Sequence, residues 1–222
     1  MADLTDNVFV VVGASGALGS RIAQRLSDAG ASLTLAVRSA DSPIDGAHTV
    51  SADLREPDAA QRIIDAAVEQ HGHLDGLVIA AGIAAFGPLA EIDDDTVDDL
   101  VLVDFLGPLR LLRAALRVLE PGGVVAGISA VLAEQPVAGM ATYSAVKAAA
   151  SALFLAAAKE ARKSKIRVLD IRPPHTETGL AGRAIAGDAP KMPDGADPDA
   201  VAQRIVEAIL GNERELPSSA FG

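Results

Sequence analysis

The chain has no cysteine and no tryptophan among its 222 residues. The first absence excludes a disulfide scaffold and a thiolate zinc site, and it makes no demand on an oxidising compartment, so a cytoplasmic location is expected. Aromatic residues are few, five Phe and one Tyr, which leaves Val, Ile, Leu and Ala to fill the interior and makes Tyr143 conspicuous. Basic residues are also in deficit, 19 Lys and Arg against 30 Asp and Glu, for a formal charge of -11. Neither nucleic acid nor an anionic membrane is an expected partner, and any phosphate site must be local. No run approaches the roughly 18 uninterrupted apolar residues of a membrane span. Met1 to Asp6 lacks the basic region and apolar core of a signal peptide, so neither export nor anchoring is expected.

What is present is a chain with 50% hydrophobic residues, enough for one substantial core. Val8-Phe-Val-Val-Val12 is a β-branched and aromatic run suited to a strand buried on both faces of a parallel sheet. A glycine turn follows, then Leu18, Ile22, Ala23, Leu26 and Ala29 at helical spacing, with Gly30 as the stop. Leu33 to Val37, His48 to Ser51, Leu77 to Ile79, Gly123 to Ile128 and Ile166 to Ile171 read as further strands. Helical patterns run from about Pro57 to Gln70, from Ile92 to Leu119 and from Thr142 to Arg162. Strands alternating with helices predict an α/β fold: a single doubly wound, Rossmann-like parallel sheet with helices on both faces, in one domain spanning residues 1–222. Pro108 predicts a kink or break near Gly107. Residues Arg172 to Asp199 shift to Pro, Gly and charge and read as a long loop; Pro198 opens a last helix to Leu210, and the tail from Glu215 is a candidate edge strand.

Gly13-Ala-Ser-Gly16-Ala-Leu-Gly19 sits between the first strand and helix. Glycines there permit a tight turn and close backbone approach, so that the backbone at Gly13, Ser15, Gly16, Ala17, Leu18 and Gly19 and the helix N-terminus can meet a pyrophosphate. The bland alternative is an ordinary glycine-rich connection. At the end of the second strand an acidic residue would bind a ribose 2'-hydroxyl; this chain has Arg38 and Ser39 instead, a pair suited to a 2'-phosphate, which favours NADP(H) over NAD(H). The competing reading pairs Arg38 with Asp41 as a solvated loop arginine. Asp53 and Leu54 are candidates to contact the adenine, Asp53 alternatively being a helix cap before Pro57.

Tyr143 and Lys147 are four residues apart on a predicted helix and so share a face, an arrangement in which an ammonium lowers the phenol's pKa and makes it a usable acid or base. Here the sequence resembles the short-chain dehydrogenase/reductase family, from about Val8 to Leu210, through the glycine turn, Asp53-Leu54, Leu77-Val-Ile-Ala-Ala-Gly82, Ile128-Ser129, Tyr143-Ser-Ala-Val-Lys147 and Arg172-Pro-Pro-His-Thr-Glu-Thr178. The resemblance implies that Tyr143 exchanges a proton with a carbonyl or alcohol oxygen. It further implies that Lys147 binds the nicotinamide ribose, that Ala81, Gly82, Pro173 and Thr178 lie along the cofactor, and that the protein is a homodimer or homotetramer. Small residues between Ala148 and Ala158 would let helices of neighbouring subunits approach, or pack on the home sheet.

Three positions depart from the family pattern. Ile79-Ala80-Ala81-Gly82 replaces Asn-Asn-Ala-Gly and loses the amide side chains. Ser129-Ala130 replaces a serine pair, so the hydroxyl that donates to the substrate oxygen is missing unless a shifted loop brings Ser129 into that role; loss of such a donor costs on the order of 100-fold in rate. Asp104 stands where a proton-relaying asparagine is expected, and its carboxylate either pairs with Lys147 or is a solvated helix residue. His48, His71 and His73 read as surface or capping residues, and Asp93 to Asp99 as an acidic helix start. The favoured function is an NADP(H)-dependent oxidoreductase acting on a small carbonyl or secondary alcohol. The alternative is a non-catalytic dinucleotide-binding sensor or regulatory protein, favoured by Ala130 and Asp104.

Overall fold

The run Val8–Val12 forms β1, and every one of its residues is buried. Its side chains alternate: Phe9 and Val11 enter one core, Val8, Val10 and Val12 the other, as the two-residue repeat of a strand requires. A strand with two apolar faces needs helices on both sides, and α1 (Ala17–Asp28) supplies Ile22, Ala23 and Leu26 to the Phe9 side. β2 (Ser32–Val37) and β3 (His48–Ser51) extend the sheet in one direction. The chain then crosses back through α2 (Ala59–His71) to β4 (Gly76–Ile79) on the other side of β1.

The computed structural model describes residues 3–38 and 44–222. Beyond β4 come α3 (Asp94–Val101), α4 (Gly107–Ala115), β5 (Val124–Ile128), α5 (Ala141–Ala161), β6 (Arg167–Ile171), α6 (Pro198–Leu210) and the short edge strand β7 (Glu215–Leu216). The seven strands are all parallel, in the order β3-β2-β1-β4-β5-β6-β7. This is the doubly wound sheet read from the sequence. Its winding reverses between β1 and β4, and a crevice opens there at the carboxyl ends of the strands. α1 and α6 cover one face; α2, α4 and α5 cover the other through Ile63, Ile64, Leu111, Leu112 and Phe154.

The break expected at Pro108 is not seen; the helix continues through it with a change of hydrogen-bond register. Residues Leu102–Leu106 form one π-helical turn, closed by the Gly107 amide donating to the Leu102 carbonyl, and Pro108 then occupies the opening turn of α4, where its missing N–H costs nothing. α5 is long and apolar enough to cross a bilayer by length and composition alone. Ala150, Phe154, Ala157 and Ala161 instead pack it on the sheet, while Ala145, Ala152 and Ala156 face outward. The long loop after β6 is fastened at both ends. Near its base Glu177 donates to Ala196 and Ala196 to His175; near its tip Ile185 donates to Ala84 and Phe86 to Ala186. The strap between these ties lies over the carboxyl ends of the sheet, where Leu180, Ala181 and Met192 join Phe86, Leu132, Met140 and Tyr143 in a third apolar cluster.

Candidate active site

Two glycines explain how the first turn approaches its neighbours so closely. Gly13 has φ +80°, and a Cβ there would stand 2.6 Å from the Ala81 amide nitrogen; a Cβ on Gly19 would stand 2.2 Å from the Gly13 carbonyl oxygen. The turn therefore lies flat against the end of β4 only without side chains. Gly16 is the N-cap of α1 with no side-chain cap, and the first helical bond runs from the Ser20 amide to the Gly16 carbonyl. The amides of Ala17, Leu18 and Gly19 precede that bond and have no acceptor in the helix. Of these three residues, Ala17 stands on the rim of a cleft of about 460 Å³, which Gly13, Ser15, Gly16, Ala81 and Gly82 also border. Leu18 and Gly19 lie behind the rim. The absence of Cβ atoms, the unpaired amides and the cleft together fit a dinucleotide.

At the far end Arg38 is exposed at the end of β2 and borders the same cleft; Ser39 and Asp41 lie outside the described residues. Asp53 borders the cleft too, but its carboxylate is engaged locally: Oδ1 accepts the Arg55 amide at 2.9 Å, and Oδ2 lies 3.2 Å from the Arg55 guanidinium. It caps its own turn, not α2, whose N-cap is Asp58. Arg55 also holds Asp99 through two contacts of 2.6 and 2.8 Å, which raise the guanidinium's pKa and lower that of Asp99. Leu54 is buried against Gly107.

α5 presents Tyr143 and Lys147 on its buried side. The Lys147 Nζ lies 3.6 Å from Asp104 Oδ1 and 5.7 Å from the centre of the Tyr143 ring. Asp104 is 1% exposed, so the solvated-carboxylate reading gives way to the paired one. The π-helical turn carries it inward, its Oδ1 accepts the Ile83 amide at 3.2 Å, and its buried Oδ2 has no hydrogen-bond partner. A Cβ on Gly82 would meet Asp104 Oδ1 at 2.9 Å and Lys147 Nζ at 3.2 Å, so the ion pair sits directly beneath the backbone that floors the cleft. Asp104 pushes the Lys147 ammonium above its ordinary value against the opposing effect of burial. Burial pushes the Asp104 carboxyl up, with Lys147 opposing. The expectation of a lowered phenol pKa is corrected. Burial raises Tyr143, Asp104 adds to the rise, and the opposing field of Lys147 does not cancel it. Tyr143 lies beyond the cleft's lining, 7% exposed, in the apolar cluster under the strap.

Ser129 is also corrected. Its hydroxyl donates to Asp170 Oδ1 at 2.6 Å and lies 3.2 Å from the Ile171 carbonyl, so its proton serves β6 and is not offered to a substrate oxygen. Asp170 is fully buried, with burial raising its carboxyl pKa, and it accepts from Ser151 and faces Arg172 as well. Ala130 follows in extended conformation with no hydroxyl to give. Pro173 accepts the Val131 amide at 3.0 Å and anchors the strap's root. Thr178 accepts the Leu180 amide at 3.4 Å and does not border the cleft. His175 stands 3.4 Å from Glu177. Sequence reasoning missed Arg55, Asp170 and Arg183. Asp170 had a signal, a lone carboxylate in an apolar strand that must find partners; Arg183, in an aperiodic loop, had none.

A family model described as short chain dehydrogenase matches residues 7–188. An uncharacterized oxidoreductase of Methylorubrum extorquens is 32% identical, with 84% of this chain and 80% of that protein covered. The ipsdienol dehydrogenase of Ips pini is 30% identical, with 83% and 80% covered. The crystal structure of a short chain dehydrogenase from Burkholderia cenocepacia in complex with NADP superposes with a TM-score of 0.85 at 25% identity, covering 98% of each chain. With a switch-point cleft, a side-chain-free turn and a buried Tyr-Lys pair already in place, the match over most of its length establishes that this chain belongs to the short-chain dehydrogenase/reductase family, whose members are oxidoreductases that use a nicotinamide dinucleotide.

Proposed function

We propose that the protein is an NADP(H)-dependent oxidoreductase that interconverts a small carbonyl compound and a secondary alcohol, with Tyr143 exchanging the proton at the substrate oxygen. The observation that carries this reading is Lys147: an ammonium buried under Gly82 at the floor of the cleft, with the chain's only tyrosine one helical turn away on the same face. The bound nicotinamide supplies or takes the hydride. The chain does the rest. Ser15 and Ala17 receive the phosphates through backbone amides, Gly13 and Gly16 let the turn approach them without side chains, Arg38 meets the 2'-phosphate, and Lys147 holds the adjacent ribose. The raised phenol is protonated at neutral pH, which suits Tyr143 to act as the acid in carbonyl reduction; Lys147 then stabilises the phenolate. The strap and the apolar residues around Tyr143 keep water from the proton path.

The test is NADPH fluorescence on binding, followed by turnover of a carbonyl panel with Tyr143→Phe as control. Saturable binding with turnover that falls at least about 100-fold in the variant supports the enzyme. Binding without turnover, or turnover indifferent to the variant, removes it. The second reading, a non-catalytic dinucleotide-binding protein, is favoured by one observation: Ser129 is committed to Asp170 and Ala130 has no hydroxyl, so the usual donor to the substrate oxygen is gone. A homodimer or homotetramer across the outward alanines of α5 completes the proposal, with light scattering as its measurement.

A further inference from the structure

Three arginines border the cleft, and they differ in what neutralises them. Arg55 is engaged by Asp53 and Asp99. Among the described residues, Arg38 and Arg183 have no carboxylate partner, although the chain carries a net charge of -11 and supplies acids to Arg21, Arg25, Arg62, Arg172 and Arg204. These two guanidinium groups, without a carboxylate partner among the described residues, reach the cleft from different elements. Arg38 stands at the end of β2, and Arg183 rides on the strap.

Arg183 is placed there by its surroundings. Its Nη2 donates to the Thr178 carbonyl at 3.4 Å, and its Nη1 packs over Gly179, where a Cβ would come within 3.0 Å and where φ is +70°. The segment carrying it is tied on both sides: the Ile185 amide donates to the Ala84 carbonyl, and the Glu177 amide donates to the Ala196 carbonyl. Most of the guanidinium's N–H donors are left without an acceptor. The same cleft is lined by the glycine turn, including Ala17, whose amide opens α1 without a helical acceptor. An anion lying between them is met by backbone amides on one side and a fork of charged donors on the other.

We propose that Arg183 is a phosphate-binding residue through which the strap grips the pyrophosphate of the dinucleotide. The proposal rests on the dinucleotide reading above and adds a residue to it. Because the pyrophosphate is common to both cofactors, Arg183 acts on NADH and NADPH alike, whereas Arg38 acts chiefly on NADPH.

The experiment is titration of the full chain with NADH and NADPH, followed by cofactor fluorescence at several salt concentrations, for the wild type, R183Q, R183K and R38Q, with thermal melting to establish that each variant is folded. R183Q is expected to weaken both cofactors by roughly tenfold and to flatten the salt dependence of both. R183K should restore part of the salt dependence and less of the affinity, since it keeps the charge without the fork. R38Q should weaken NADPH far more than NADH. If R183Q binds both cofactors as the wild type does, within about twofold and with the same salt dependence, Arg183 has no phosphate role. A wild type that binds neither cofactor overturns the dinucleotide reading and this assignment together, so the two failures are distinguishable.

Discussion

Asp104 works against the proposed proton transfer at the same time as it holds the lysine. Its carboxylate raises the Lys147 ammonium, which secures the charge under the cleft, and it raises the phenol, which opposes ionisation of Tyr143. The sign follows for each direction of reaction. Carbonyl reduction needs the phenol protonated and should hold at low pH, then fall as pH rises through the raised pKa; alcohol oxidation needs the phenolate and should rise over the same interval. Asp104→Asn removes the negative field and should move both limbs to lower pH, a displacement that pH–rate profiles will display or fail to display. Ser129 gives a second residue-scale expectation. Ser129→Ala removes a buried hydroxyl from Asp170 and should cost about 1–3 kcal/mol of stability, read from the denaturation midpoint, while leaving turnover within a few-fold. A rate loss near 100-fold would instead mark Ser129 as the donor to substrate.

At the scale of elements, the strap is the piece whose behaviour decides access to Tyr143. Its tip is tied to the segment after β4 by the Ala85 to Ala186 bridge, and Gly187, with φ +64°, follows because a Cβ there would strike the Phe86 carbonyl at 2.0 Å. The absence of native cysteine makes a direct test available. The double variant A85C/A186C should form a single disulfide on oxidation, lower turnover by holding the strap down, and recover on reduction. Unchanged turnover in the oxidised form would mean that substrate enters without releasing the tip. This scale also separates what was legible in the sequence from what was not. β1, the glycine turn and α1 are written in local periodicity, because a strand buried on both faces and a helix with one apolar stripe each impose a repeat on their own residues. Pro108 marked an irregularity near Gly107 and not a break, since the helix runs on through a π-helical turn, where Gly107 packs against Leu54, a contact 53 positions away in the chain. Ser129 could not be oriented from sequence because its hydrogen-bond acceptor belongs to β6, and strand order decides that the two meet.

For the molecule as a whole, histidine placement contributes a dependence of stability on pH. His48 and His71 converge on the buried Thr34 hydroxyl, at 3.3 and 3.2 Å, and burial together with the neighbouring imidazole lowers the His71 pKa. A histidine that is harder to protonate when folded binds more protons when unfolded. Stability should therefore decline as pH falls through the ordinary histidine range near 6.5. His71→Gln should soften that decline in melting curves taken across the interval; an identical decline would place its origin elsewhere. The same wide view shows how the cleft proposed to hold the dinucleotide adjoins the pair proposed to move the proton. At Gly82 the absence of a Cβ is what lets the buried Asp104–Lys147 pair lie against the backbone that borders the cleft. An alanine at that position would act as a wedge, leaving the nucleotide shelf on one side and forcing the ion pair out of place on the other. A natural descendant carrying it would be expected to have kept its ligand and lost its reaction.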